Sequence, residues 1–347
     1  MKNTLLLFSI LTLIGVGCAE QSIVDITIEE MVVEETRTDT KKAQIYVQFI
    51  QNVHDWVYPE ESIATINRII DLHETYKLPV ELHLTDTMTQ TYVALAPDLI
   101  DRMKTSEYVS VSYHIRPPHP LYTGFDTIGL SEMSSDELYE TLLAYEEHEL
   151  NMETGAYTEN PGGYQYLKEV IGYAPRIVGN TTGRYGAIYS QILEEKGARF
   201  TVLHEGGSSI EELVHGLYKR PEDTEVKLYE FAEQDYDMEE LFETWTSEFD
   251  EETDFFVNLK FHENNYYLTD TPFGPIYWDD FPDGRREIAE TPYDITATSE
   301  SVRTRSEEDT ELRWTLYEEA LQYVSEHRDS LTAINAEDLE GMLETIE

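Results

Sequence analysis

Hydrophobic and polar positions alternate along this chain in two distinct periods from about residue 43 onward. Apolar runs rich in β-branched residues, such as QIYVQFIQNV and VELHLTDT, are typical of strands. The segment SIATINRIIDLHETYK instead repeats its apolar positions at helical spacing, with Ser62 as the predicted N-cap. One face of this helix carries five residues: Ile63, Ile66, Ile69, Ile70 and His73.

The same alternation continues to the end of the chain. Helices are predicted over APDLIDRMKT, SSDELYETLLAYEEHELN and YGAIYSQILEEKG, and strands over YVSVSYHI, APRIVG, ARFTVLH and DFFVNLKFH. Two further helices, EEDTELRWTLYEEALQYVSEHR and NAEDLEGMLETI, form a C-terminal extension, and Asn335 is the expected cap of the second. Strict alternation predicts an α/β fold of six or seven parallel strands, either a barrel or a doubly wound sheet.

The N-terminus has the layout of an export signal. A basic start at Lys2 precedes an apolar run that is too short for a comfortable membrane span, and small residues precede Cys18. IGVGC resembles a lipobox, so residues 1–18 are predicted to be a lipoprotein signal with Cys18 lipidated; an ordinary secretory signal is the alternative. Residues 19–43 would be a flexible tether, and residues 44–347 a single domain. The expected location is the cell envelope, with membrane contact through the lipid anchor only, or else the periplasm or the exterior.

The charge of the chain excludes some partners. Seventy acidic residues against 24 basic ones give a formal net charge of −46, which repels nucleic acid and anionic lipid. The acidity indicates adaptation to high salt or an affinity for cations, and the salt interpretation is favoured because acidic residues are spread along the chain. An acidic insertion near residues 221–254 is interpreted as a solvated face. The oligomeric state does not follow from these features.

Histidines and carboxylates fall where the predicted strands end. His54-Asp55, His204-Glu205 and His262-Glu263 each follow one strand, and SYHIRPPHP places two histidines after another. Functional groups of parallel α/β proteins gather at this edge of the sheet. Two imidazoles and a carboxylate suit a divalent transition metal, so we predict a metal site from Asp55, His114 and His119. A solvated, proline-stiffened turn is the alternative for the two histidines.

Four segments occur in the order found in a known family. QNVHDW, SYHIRPPHP, APRIVGN and LKFHEN follow the successive strands, and on these segments the chain resembles the polysaccharide deacetylase family, the NodB-homology domain of a wider glycoside hydrolase/deacetylase barrel superfamily. The resemblance covers roughly residues 45–267 and rests on order and spacing. It implies a distorted (β/α) barrel and a hydrolase of carbon–nitrogen or ester bonds that deacetylates a polysaccharide or oligosaccharide.

The resemblance also assigns roles to single residues. Asp55, His114 and His119 would hold the metal, with zinc expected and cobalt, manganese or nickel as alternatives. His262 would be the general acid, and Arg176 would orient the base or stabilise charge. Aromatic side chains would form the sugar platform: Trp56, Tyr113 and Trp278.

This sequence departs from the family pattern at two points. His114 and His119 are five residues apart where the family usually has four, and His54 replaces the aspartate that acts as the base. His54, Glu205 or Glu263 is then the candidate base, or the base is absent. Two alternative functions therefore remain. One is a catalytically altered glycan-binding lipoprotein on the same barrel, and the other is a glycosidase that uses two carboxylates.

Overall fold

The computed structural model describes residues 42–179, 185–202, 209–297 and 302–345. The predicted signal peptide with Cys18, the tether apart from its last two residues, and the His204-Glu205 pair lie outside these ranges. Fourteen strands are described: β1 (Ile45–Val53), β2 (Val80–Leu84), β3 (Val109–Tyr113), β4 (His148–Leu150), β5 (Tyr157–Pro161), β6 (Ile177–Val178), β7 (Phe200–Thr201), β8 (Leu213–Val214), β9 (Leu217–Lys219), β10 (Thr224–Lys227), β11 (Phe255–His262), β12 (Trp278–Asp280), β13 (Arg286–Ile288) and β14 (Leu331–Ala333).

Helices connect most of the parallel strands, as the alternating pattern predicts. The helices of the described ranges are α1 (Pro59–Tyr76), α2 (Asp86–Leu95), α3 (Pro97–Thr105), α4 (Ser135–Tyr145), α5 (Gly163–Ile171), α6 (Gly186–Lys196), α7 (Met238–Trp245), α8 (Gly274–Tyr277), α9 (Glu307–Glu326) and α10 (Ala336–Glu344). Within those ranges, no helix is both long and apolar enough to span a membrane.

A ten-stranded sheet forms the centre of the structure. Its order is β10-β11-β1-β2-β3-β6-β7-β9-β8, with β14 also paired to β1. Every pairing in it is parallel except that of β8 with β9. The predicted α/β class with a distorted, mostly parallel barrel-like sheet is confirmed. The sheet has more strands than the six or seven predicted. Short strands such as β9 and β14 have too few residues to show a period in the sequence.

The two faces of this sheet differ in polarity. One face supplies Val47, Phe49, Leu82, Val111 and Leu259 to the main hydrophobic core, which the helices α1 and α9 complete. Because side chains alternate along a strand, the intervening residues of the same strands point to the opposite face. That inner face carries polar residues at its centre: Gln48, Asn52, Glu81, His83, Ser110, Ser112, Asn258, Lys260 and His262.

Helix α10 closes the amino-terminal end of the inner face. Its Leu339 and Leu343 pack in one apolar cluster with Tyr46, Phe200 and Phe256 of the strands. The predicted cap is confirmed, because Asn335 Oδ1 accepts hydrogen bonds from two backbone N–H groups of the first turn, at 2.9 and 3.3 Å. Apolar contacts therefore close the inner face at the amino-terminal ends of the strands. Towards the carboxyl ends of the strands the inner face is polar.

Three predicted boundaries are wrong. Helix α1 begins at Pro59, and Ser62 is not its cap but a buried side chain whose hydroxyl lies 2.8 Å from that of Tyr92. The predicted strand VELHLTDT ends at Leu84, because the Thr85 side chain caps α2 by accepting from Met88 N. The helix predicted over residues 134–151 ends at Tyr145, and its last residues form β4 instead.

Candidate active site

Four histidines lie together on the inner face at the carboxyl ends of β1, β2, β3 and β11. The His54 and His262 rings are 4.9 Å apart between centroids, His54 and His114 are 6.4 Å apart, and His83 and His114 are 6.1 Å apart. The strand register explains the grouping, because Asn52 pairs with His262 on one side and with His83 on the other. The predicted gathering of histidines at this edge is thus present in the structure.

His54 is held by a donor on one side and an acceptor on the other. Arg116 Nε donates to His54 Nδ1 at 2.9 Å, and His54 Nε2 lies 3.1 Å from Asn264 Oδ1. Since a guanidinium only donates, Nδ1 must be unprotonated and Nε2 must carry the proton. Burial, reinforced by the charge of Arg116, lowers the pKa of His54 well below its ordinary value of 6.5. His54 is therefore a neutral imidazole near pH 7 with both nitrogens engaged.

Asp55 and Glu263 are buried carboxyl groups that organise the end of β1. Glu263 Oε1 accepts the backbone N–H groups of both His54 and Asp55. Asp55 Oδ2 accepts from the Tyr267 hydroxyl at 2.6 Å, and Asp55 Oδ1 accepts from Val57 N at 3.0 Å. Burial raises the pKa of Asp55 to about 6, and burial together with the nearby Asp55 raises that of Glu263 to about 8.

Glu263 therefore acts here as a positioning group. Its Oε2 lies 3.9 Å from His54 Nε2, which is within ion-pair distance. The opposite pKa shifts of the two groups nevertheless favour a neutral pair, because burial penalises each charge. Neither Asp55 nor Glu263 lines the two cavities described below. Asp55 and Glu263 are therefore not the two accessible carboxylates that a glycosidase mechanism needs. The exposed carboxylates that line one of those cavities are Asp270 and Asp280.

The predicted metal ligands do not form one site. Both oxygens of Asp55 are occupied as described above, and His119 Nε2 faces Glu146 Oε1 at 3.4 Å, with its ring packed on Tyr145. In the parts of the chain that the structure describes, no three His, Cys, Asp or Glu side chains are arranged to hold a metal ion. The set Asp55, His114 and His119 therefore does not fit the metal that the resemblance implies, because Asp55 and His119 face other partners and leave His114 alone.

The front cavity is an open space of about 200 Å³ beside the histidines. Its polar lining includes His54, His262, Arg116 and Arg286 and the two carboxylates Asp270 and Asp280. Its aromatic lining includes Tyr122 and Trp278. Trp278 lies edge-on to Tyr122 at 6.2 Å, so the two rings form a continuous wall. Burial, then the neighbouring His54, lowers the pKa of His262 well below 6.5. This cavity offers a neutral histidine, a guanidinium, two carboxylates and an aromatic wall to one ligand.

The inner cavity also lies on the inner face and has a volume of about 250 Å³. Arg116 lines both cavities and so stands between them. The other polar residues around the inner cavity include Asn52, His83, His114, Arg220 and Lys260.

Three other predicted site residues lie outside the two cavities. Arg176 precedes β6, at the opposite edge of the sheet, and it pairs with Glu340 and Glu337 of α10. It is not among the residues lining the cavities, so its predicted role beside the base is wrong. Tyr113 is only 1% exposed and packs edge-on against Tyr164 at 5.6 Å, so its faces are closed to a sugar. Trp56 is half-buried beside a cleft of only about 20 Å³.

Sequence reasoning missed four residues of this region. Arg116 lies between the two histidines of SYHIRPPHP that were predicted as metal ligands, and it lines both cavities. His83, Arg220 and Lys260 also line the inner cavity. The signal was present in the strands VELHL and VNLKFH, where polar residues occupy every second position between apolar ones. Such alternation indicates a strand with one polar face.

This chain is similar in fold to several proteins of known structure. No family model matches the chain, and no curated protein matches it. Among solved structures, the chain is similar to a 4-α-glucanotransferase from Thermococcus litoralis, at TM-score 0.46 and 12% identity over 86% of this chain, and it spans 40% of that enzyme. It is also similar to a protein from Mycobacterium smegmatis assigned as a polysaccharide deacetylase, at TM-score 0.44 and 11% identity over 86% of this chain and 91% of the other.

A third similar structure is Puue allantoinase, at TM-score 0.45 and 13% identity over 86% of this chain and 89% of the other. These structures include the class of protein whose motif order the chain resembles. Their names describe three different reactions, and one fold hosts many functions. At this identity and these TM-scores, the likeness concerns the fold and carries no argument about the reaction.

Proposed function

We propose that this protein is a hydrolase that removes an acyl group from a carbohydrate, with deacetylation as the favoured reaction. The observation that carries the proposal is the front cavity, in which His262 and Arg116 share one space with the aromatic side chains Tyr122 and Trp278. Aromatic faces suit the C–H surfaces of a sugar, and the two polar groups suit the reacting ester or amide. The predicted roles of His262 and Trp278 are retained in this proposal.

His262 is the proposed general base and acid. Its lowered pKa leaves the imidazole neutral near pH 7, so it can accept a proton from a water molecule that attacks the acyl carbon. When the bond between the acyl carbon and the sugar oxygen or nitrogen breaks, the same imidazole returns that proton to the leaving group. The products are a free carboxylate and the deacylated sugar.

Arg116 is the proposed donor to the developing oxyanion. Its Nε is committed to His54, and one further nitrogen lies 3.4 Å from the Tyr122 hydroxyl. The carboxyl group whose charge acts on Arg116 is Glu263, and its Oε1 accepts two backbone N–H groups instead of pairing with the guanidinium. The charge of Arg116 is therefore available to a ligand. His54 and Asn264 position the guanidinium through a fixed imidazole tautomer. The proposed mechanism uses no metal, because the predicted ligands do not fit one.

The test measures acetate release from acetylated oligosaccharides, with the non-acetylated oligosaccharide as blank. His262→Gln should lower kcat by at least about 100-fold, since general acid–base catalysis typically contributes 10² to 10⁴. His327→Gln is the matched control, because His327 is exposed and lies outside both cavities. Equal activity of His262→Gln and wild type would overturn the assignment of His262. Absence of acetate release from every acetylated substrate would overturn the hydrolase proposal.

A second candidate is a glycan-binding protein without turnover. It is favoured by one observation, namely that the metal set implied by the resemblance is not assembled. Binding of the same oligosaccharides, weakened by Trp278→Ala and accompanied by no acetate release, would support this candidate over the hydrolase.

A further inference from the structure

Three cations surround the inner cavity in a protein whose net charge is −46. Lys260 Nζ lies 3.3 Å from Glu225, and Arg220 lies 2.7 Å from Glu222. Arg116 has no such partner among the described residues. With both glutamates ionised, the three cations leave one uncompensated positive charge beside the cavity. The lining is thus locally cationic against the charge of the whole protein.

Several buried polar atoms in the same lining have no hydrogen-bond partner among the described residues. They are Arg220 Nε, His83 Nε2 and both ring nitrogens of His114. Arg220 is 3% exposed and His83 is 2% exposed, so little solvent reaches them. Buried donors without partners are costly, and each needs an explanation such as a ligand or an ordered water.

We propose that the inner cavity binds the carboxylate of a small organic anion. On the proposed function, that anion is an acidic sugar unit of the substrate, whose acylated neighbour lies in the front cavity. Arg116 lines both spaces and therefore contacts both parts of such a ligand. The volume of about 250 Å³ is many times what one water molecule needs, so the cavity has room for an organic ligand.

The electrostatics of His83 agree with this assignment. Burial lowers its pKa well below 6.5, and the charges of Arg220, Lys260 and Arg116 lower it further. A neutral imidazole offers one N–H donor to a carboxylate, and the cations supply the charge.

The experiment titrates the full chain with glucuronate, glucose and acetate by calorimetry, at constant pH, ionic strength and chloride concentration. We expect glucuronate to bind and glucose to bind at least about tenfold more weakly, because a charged hydrogen bond is strong. Tighter binding of glucuronate than of acetate identifies the sugar carboxylate as the ligand. Binding of acetate as tight as that of glucuronate identifies a free small carboxylate, which supports the site but not an acidic substrate.

Lys260→Met should weaken glucuronate binding about tenfold or more, whereas Lys227→Met should leave it unchanged. Lys227 is the matched control because it pairs in register with Lys260 on the neighbouring strand, yet it is half-exposed and lines neither cavity. Equal binding of glucose and glucuronate, or equal weakening by both substitutions, would overturn the proposal. The comparison of ligands uses wild-type protein, so it decides the matter even if Lys260→Met does not fold.

Acetate release is measured separately on the same preparations. Hydrolysis without carboxylate binding would reject this inference and leave the proposed function standing. Carboxylate binding without hydrolysis of any acetylated substrate would support this inference and reject the proposed function.

Discussion

Glu81 provides a quantitative test of the polar inner face. Its carboxyl group is 2% exposed, accepts a hydrogen bond from Ala336 N at 3.0 Å and is bonded by the Ser112 hydroxyl. Burial raises its pKa from 4.5 to about 7, against the opposing effect of these hydrogen bonds. The unfolded chain therefore loses this proton at a lower pH than the folded chain does.

The direction in which pH changes stability follows from the higher pKa of Glu81 in the folded state. Between about pH 4.5 and about pH 7 the folded state binds more protons at Glu81, so this group makes the free energy of unfolding fall as pH rises. Above pH 7 the difference in pKa lowers the free energy of unfolding by roughly 3 kcal/mol relative to its value below pH 4.5. Glu81→Gln removes the ionisation while keeping the shape. The advantage of the variant over wild type should therefore grow by roughly 3 kcal/mol between pH 4.5 and pH 8.

Urea denaturation at fixed ionic strength across this pH range measures the difference. Glu140→Gln is the matched control, since it removes one carboxylate from the exposed face of α4. We expect the control to follow wild type at every pH. A constant difference between Glu81→Gln and wild type across the range would refute the reasoning, because it would mean that Glu81 ionises equally in both states.

Three further predictions concern residues around the site. Tyr267→Phe should lower the free energy of unfolding by about 1 to 3 kcal/mol in urea denaturation near pH 7, because it removes the hydroxyl bonded to Asp55; an unchanged value would contradict that bond. Arg176→Ala should leave acetate release unchanged and cost about 1 kcal/mol of stability, as expected for a partly exposed ion pair with Glu340; lost activity would restore its predicted role. His119→Asn should not change zinc affinity in equilibrium dialysis, whereas loss of a stoichiometric zinc site would contradict the geometry.

The class of fold could be predicted because long strands and helices show their periods directly. β1 is a nine-residue, mostly apolar run rich in β-branched residues, residues 257–262 of β11 alternate between apolar and polar, and the isoleucines of α1 repeat at helical spacing. Strands of two to four residues, such as β9 and β14, are too short to carry a period and depend on their neighbours for pairing. The end of α4 was misplaced because its polar continuation is compatible with helix and strand alike.

The site could be predicted only in part. Parallel strands bring their carboxyl ends to one edge, which correctly grouped His54, His114 and His262. Which atoms those side chains face depends on contacts distant in sequence, such as Tyr267 with Asp55, 212 residues apart. The predicted role of Arg176 is wrong because this residue directly precedes its strand, and residues at the amino end of a parallel strand lie at the opposite edge. The lipid anchor and the export signal stay predictions.

The most direct test of the account is acetate release by wild type and Arg116→Gln, each with and without a metal chelator. Loss of one oxyanion donor typically lowers kcat by 10² to 10³. The account predicts a loss of that size in Arg116→Gln and unchanged wild-type activity in the chelator. Activity that disappears in the chelator, is restored by zinc and is insensitive to Arg116→Gln would contradict it.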